Sequence, residues 1–136
     1  MVSLADTMSM QVDLFISGRK LKDLDTFSKS DPLCKLFQWG NGNWVQVGMT
    51  EIKKNNLNPD FAQKITLNYF FEKVQKLKFV MIDADDNSGS GDEIGICETT
   101  LGNIMGAKQQ TFTTDLIEPG KKDKRGQIII RADSVQ

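Results

Sequence analysis

The sequence predicts an all-β protein: an antiparallel sandwich or barrel of eight strands in one domain. Three observations lead there. Turn residues recur about every 8 to 12 positions, and the segments between them alternate apolar and polar with period two rather than 3.6. Helical patterning is scarce. The third observation is length: 136 residues is one domain's worth of chain, long enough to bury about two thirds of its unfolded surface and too short for two ordinary domains.

The elements follow in order. Met10, Val12, Leu14 and Ile16 share one face of a first strand that ends near Gly18, with Gln11, Asp13 and Ser17 on the other. Runs at residues 33–39 and 44–49 meet across Gly40-Asn41-Gly42-Asn43, whose Gly and Asn accept the positive φ angles of a tight hairpin. Trp39 and Trp44 flank that turn and are expected to pair across it. Further strands are predicted at 64–68, 77–83, 94–100, 110–116 and 127–132. Phe70 to Lys76 has the length for a turn or two of helix, and Leu101 to Met105 for another. Neither can cover a sheet, so the core must be sheet packed on sheet. The first nine residues read as a loose segment preceding a domain at 10–134.

Composition excludes several functions. The chain has no histidine, which removes Ser-His-Asp and Cys-His catalysis and His-ligated zinc. Seventeen basic residues against 18 acidic ones give a net charge of -1, so nothing global favours nucleic acid. No apolar run approaches a membrane span and no secretory pattern opens the chain, so a cytoplasmic location is expected. In that compartment Cys34 and Cys97, both within apolar stretches, read as buried free thiols.

The charge that matters is local. Two acidic segments stand out: Asp23, Asp25 and Asp31 after the first strand, and Asp83, Asp85, Asp86, Asp92 and Glu93 after the fifth. Both follow odd-numbered strands, which in an up-and-down sandwich end at the same pole. Two like charges about 4 Å apart repel by roughly 4 kcal/mol at an effective dielectric of 20, and several such pairs rival a small domain's stability. A single such segment reads as a solvated turn, but two at one pole favour a cation. Oxygen donors without His or thiolate suit calcium or magnesium, and a flexible pocket able to offer about six to eight oxygens favours Ca2+. Gly89 and Gly91 are expected to let the second segment curl and aim carbonyls inward. The run from Asp83 is not an EF-hand loop, because Ser88 stands at its sixth position and Ile94 at its twelfth.

With those segments in view the chain resembles a C2 domain. The resemblance rests on Leu24-Asp25 with Ser30-Asp31-Pro32, on Asn56-Leu57-Asn58-Pro59-Asp60-Phe61, and on Asp83-x-Asp85 followed by Asp92-x-x-Gly95. Within that family it is most similar to the first, N-terminal C2 domain of the copines, through Trp44-Val45-x-Val47-Gly48-x-Thr50-Glu51, Asn55 to Phe61, Tyr69 to Leu77, Thr100-Leu101-Gly102 and Lys124 to Ile128. The similarity spans roughly residues 10 to 134. It implies a Greek-key sandwich of the circularly permuted, type II topology. Copines carry a second C2 domain and a von Willebrand A-like domain, so the chain reads as an N-terminal fragment, monomeric on its own, with protein targets reached through those other domains.

Carried over by position, the resemblance makes Asp25, Asp31, Asp83, Asp85 and Asp92 calcium ligands, with the main-chain carbonyls of Leu24 and Ala84 as extra oxygens. Which of Asn87, Ser88, Ser90 or Asp86 adds a donor is left open, and Asp23 and Glu93 are expected to face solvent. The implied function is calcium-dependent docking on anionic phospholipid, at the cytoplasmic face of membranes such as the plasma membrane, in signalling or membrane trafficking. Lys29 is placed at the headgroups, and Phe27 either dips into the interface or packs on its own loop. Lys53-Lys54 and Lys121-Lys122 with Lys124-Arg125 are basic clusters that either reinforce lipid attraction or are solvated loops. Two rivals stand beside this reading. One is a calcium-independent C2 protein-interaction module. The other is a magnesium-dependent phosphoryl-transfer enzyme, suggested by Asp83-Ala84-Asp85 after an apolar strand; it is disfavoured because the helical crossovers of a parallel sheet are missing, and no catalytic residues are expected.

Overall fold

Period-two alternation becomes two four-stranded sheets in a computed structural model that describes residues 9–24 and 28–135. Among the described residues the strands are β1 (Ser9–Arg19), β2 (Pro32–Gly40), β3 (Asn43–Met49), β4 (Ile65–Phe70), β5 (Lys76–Ala84), β6 (Gly91–Thr100), β7 (Thr111–Asp115) and β8 (Gln127–Ser134). One sheet has the order β4-β1-β8-β7 and the other β3-β2-β5-β6, with every pairing antiparallel. The chain passes between sheets after β1, β3, β4 and β6, which is a Greek-key sandwich. The C-terminal strand β8 lies between β1 and β7, as the type II topology requires.

The inward faces supply the core. Val12, Leu14 and Ile16 of β1 pack with Leu36 of β2, Phe79 and Met81 of β5, and Ile128 and Ile130 of β8, all essentially without solvent contact. Cys34 and Cys97 lie in the same core as free thiols, and burial raises the pKa of both, Cys97 to about 11. Strand β5 is buried on both faces. Val80, Ile82 and Ala84 on its outer side join Leu33 and Ile96 in a second apolar cluster, with Phe37 and Ile52 packed against it. A central strand with both faces covered reads as a continuous apolar run, which is what Phe79-Val80-Met81-Ile82 is.

The β2–β3 turn places Asn41 at φ 52° and Gly42 at φ 80°, so both central residues are left-handed, as a two-residue hairpin turn with the native strand twist demands. Trp39 and Trp44 meet across it edge to face with ring centroids 5.3 Å apart. Leu101–Met105 is a short helix, α1, whose Thr100 hydroxyl accepts the Asn103 N–H at 3.1 Å. The segment from Phe70 to Lys76 is a turn, not a helix. Its backbone groups are captured by the buried Gln75 amide, which accepts the Phe70 N–H and donates to the Asn68 carbonyl. Strand β1 begins at Ser9, paired with Phe70, one residue before the expected boundary. No described helix is long and apolar enough to cross a membrane.

Candidate metal centre at the loop pole

Four connections meet at one pole of the sandwich: β1–β2, β3–β4, β5–β6 and β7–β8. Backbone hydrogen bonds bind them together. The Ala84 N–H donates to the Asp31 carbonyl at 2.9 Å, Lys53 N–H to Pro32, Asn56 N–H to Ser30 at 3.1 Å, and Lys22 N–H to Arg125 at 3.1 Å. Ser30 is fully buried beneath them, and its hydroxyl accepts the Leu24 N–H at 3.0 Å. A hydroxyl at that depth is what ties the β1–β2 connection to the sandwich.

Asp31 joins three connections. Its N–H donates to Asp83 Oδ1 at 2.8 Å, and its own Oδ1 accepts the Asn55 N–H at 2.8 Å. Asp83 is buried at the end of β5, 7 % exposed, and sits directly across from Asp92 in the β5–β6 pairing. Asp85 follows on the rim, its N–H donating to the Ser90 carbonyl at 2.9 Å. A cavity of about 210 Å³ lies here, lined by Asp31, Ile52, Lys54, Ala84, Asp85, Asp86 and Asn87. A larger cavity of about 350 Å³, lined by Trp39, Trp44, Lys76, Glu98, Thr99 and Thr100, lies at the opposite pole. The donor chemistry, not the volume, singles out the acidic one.

The described carboxylates predicted as ligands lie at the same pole of the sandwich. Asp31 and Asp83 are hydrogen-bonded neighbours, Asp92 is the cross-strand partner of Asp83, and Asp85 and Ala84 line the cavity. Leu24 is half-buried and held at Ser30, and Lys29 is exposed. Asp23 and Glu93 are exposed, as expected. Asp25 and Phe27 lie outside the described residues. Among the described residues no three carboxylates are gathered closely enough to form a ready-made metal cluster.

The donor set nevertheless suits a hard cation. It is oxygen only, and each carboxylate offers about four lone-pair sites, so one accepted N–H does not exhaust Asp31 or Asp83. Asp86 is differently employed: it accepts the Ser88 N–H at 2.8 Å within its own loop, and hydrogen bonds from Ser88 hold its carboxyl below the usual range. The two glycines also divide their roles. Gly89 adopts φ +89° and turns the loop. Gly91 has another function: a Cβ there would lie 2.0 Å from the Asp83 carbonyl oxygen, so glycine lets β6 approach β5 where Asp83 sits.

Two contributors lie outside the set expected from sequence. The β3–β4 connection carries a motif to which the sequence assigns no role, yet its Asn55 N–H fixes Asp31. Arg125, expected among exposed lysines, is buried at 6 % exposure. Its Nε–H donates to the Ile94 carbonyl at 2.6 Å, and its guanidinium reaches Asp123 at 3.2 Å and Glu118 at 3.4 Å. It is an internal brace, not part of a basic lipid-facing patch.

Known proteins share this architecture. The C2 domain family model matches residues 12–116. Copine-E of Dictyostelium discoideum is 38% identical over 134 residues, covering 93% of this chain and 22% of that protein; the chain therefore spans about a fifth of its relative. The first of the C2 domains, domain A, of plant extended synaptotagmin 1 superposes with a TM-score of 0.69 at 18% identity, covering 93% of this chain and 96% of that one. The second C2 domain, domain B, of BON1 gives 0.68 at 21% identity, over 100% and 99% of the two chains. At those identities the two structures speak for the fold, the copine match is a resemblance over most of this chain, and the family match decides membership: the chain belongs to the C2 domain family.

Proposed function

We propose that this domain is a calcium-responsive module that docks on anionic phospholipid, using Asp31, Asp83, Asp85 and Asp92, with Asp25 and the Leu24 and Ala84 carbonyls, to hold Ca2+. The observation that carries this reading is the Asp31 junction: one residue hydrogen-bonds both Asp83 and the Asn55 backbone on the wall of an acidic cavity. Bound calcium would supply positive charge and open coordination positions for lipid phosphate. Without it, the carboxylates of this pole repel an anionic surface. Lys29 is exposed beside the cavity's first connection and is assigned to headgroup contact, with Phe27 at the interface. Recruitment to the cytoplasmic face of a membrane, and signalling or trafficking with partners bound through other domains, extend the same proposal.

The rival reading, a calcium-independent interaction module, draws on the lack of a preassembled three-carboxylate cluster among the described residues. Catalysis is not assigned. Asp83 ends, and Asp85 follows, a strand whose neighbours are both antiparallel, unlike the parallel sheets that carry aspartate-based phosphoryl transfer. Sedimentation with phosphatidylserine-containing liposomes, with and without calcium, tests the proposal. The parent is expected to pellet only with calcium, and Asp31→Asn and Asp85→Asn to need much more of it. Equal pelleting of all three proteins at every calcium level would refute the ligand assignment, and pelleting of the parent without calcium would refute the switch.

A further inference from the structure

Two adjacent lysines on the β3–β4 connection occupy different electrostatic settings. Lys53 pairs with Glu51, Nζ to Oε2 at 3.6 Å, and Glu51 is itself fixed by the N–H groups of Ala62 and Gln63. Lys54 makes no ion pair within 4 Å among the described residues. Lys54 instead lines the 210 Å³ cavity with Asp31, Asp85, Asp86 and Asn87. With Asn87 and Ile52 it also lines the neighbouring cavity of about 300 Å³. Lys54 and Asn87 therefore stand on the boundary between the two cavities, where the β3–β4 connection faces the β5–β6 loop.

The backbone holds it there. The N–H groups of Lys53, Asn55 and Asn56 donate to the Pro32 carbonyl, to Asp31 Oδ1 and to the Ser30 carbonyl. Residues on both sides of Lys54 are thus pinned to the chain segment that carries Asp31. The Lys54 stem therefore starts from an anchored point on the cavity that Asp31 and Asp85 also line.

From this placement we infer that Lys54 is a tethered counter-ion that competes with the divalent cation for the acidic pole and so sets the calcium level at which the domain responds. The inference rests on the calcium reading above and adds a tuning residue to it. A lysine on the wall of an acidic cavity offsets part of the carboxylates' mutual repulsion when no metal is bound. The same charge opposes an incoming divalent ion. Being exposed, it is screened by salt.

Calorimetric titration of the 136-residue chain with calcium tests this, comparing the parent with Lys54→Met, Lys54→Arg and Lys53→Met. Lys54→Met keeps the stem and removes the charge, and is expected to bind calcium about 3- to 10-fold more tightly at low ionic strength. The gain should shrink in about 0.5 M NaCl, where the screening length is shorter. Lys54→Arg should bind as the parent does. Lys53→Met, whose charge is already paired, should change affinity by less than about twofold. A Lys54→Met affinity equal to the parent's would overturn the inference while leaving the calcium reading intact. Equal tightening in Lys53→Met would also overturn it, by reducing the effect to net charge. No heat with the parent at millimolar calcium would overturn the underlying reading instead.

Discussion

Replacing Arg125 with methionine should remove a large part of this domain's stability. The substitution keeps most of the aliphatic stem and deletes the guanidinium. It strips the buried Ile94 carbonyl of the Nε–H that reaches it at 2.6 Å, and an unsatisfied buried acceptor costs about 1–3 kcal/mol. The contacts to Glu118 and Asp123 add less. Those side chains are 33% and 42% exposed, so each pair contributes about 0–1 kcal/mol after solvent screening. The total is roughly 1–5 kcal/mol, against about 5–15 kcal/mol for a whole domain. In a chain of this size that lowers Tm by roughly 10 °C. Urea unfolding followed by far-UV circular dichroism measures it, with Lys124→Met as the exposed neighbour expected to change stability by less than about 0.5 kcal/mol. A loss under about 1 kcal/mol for Arg125→Met, or equal losses for the two variants, would refute the internal brace.

Gly91→Ala should destabilise by at least the roughly 1–3 kcal/mol usual for overpacking, because the added carbon meets the Asp83 backbone rather than a movable side chain; Gly102→Ala, whose nearest neighbour is 3.9 Å away, is its control in the same denaturation experiment. On the outer face of β1, the Thr66 hydroxyl first and Lys64 second hold the Asp13 carboxyl below its ordinary 3.8. A carboxylate with a depressed folded-state pKa stabilises fully above its unfolded value and ceases to do so as pH falls through the folded one. The stability difference between parent and Thr66→Val should therefore be constant above about pH 4.5 and narrow on further acidification, whereas a gap independent of pH would show that Thr66 acts by packing alone.

All eight strands are legible in the sequence because their turns are written in residues whose chemistry is local, such as the left-handed Asn41-Gly42 pair, and because alternation identifies inward residues such as Val12, Leu14 and Ile16. What stays hidden depends on contacts between distant segments. Gln75 looks like one more polar residue in a helix-length stretch until its amide is seen closing the turn after β4. Arg125 reads as part of a basic run, and only the pairing of its backbone with Leu116 and Lys22 turns that one side chain inward. The acidic pole is legible as two carboxylate-rich segments following odd-numbered strands. The third contributor is not, since Asn55 acts through its main-chain N–H, a group every residue but proline possesses.

Both tryptophans belong to the β2–β3 hairpin, at the end of the sandwich remote from Asp31 and Asp83, and Trp44 lies beneath the Lys78 ammonium at 4.9 Å. Intrinsic ultraviolet emission from this protein is therefore a thermometer for one end of the molecule. It will report fraying of that hairpin and global melting, and stay nearly silent on ion occupancy unless the signal crosses the whole length of β2 and β5. An optical titration of the carboxylate end calls for a chromophore introduced there.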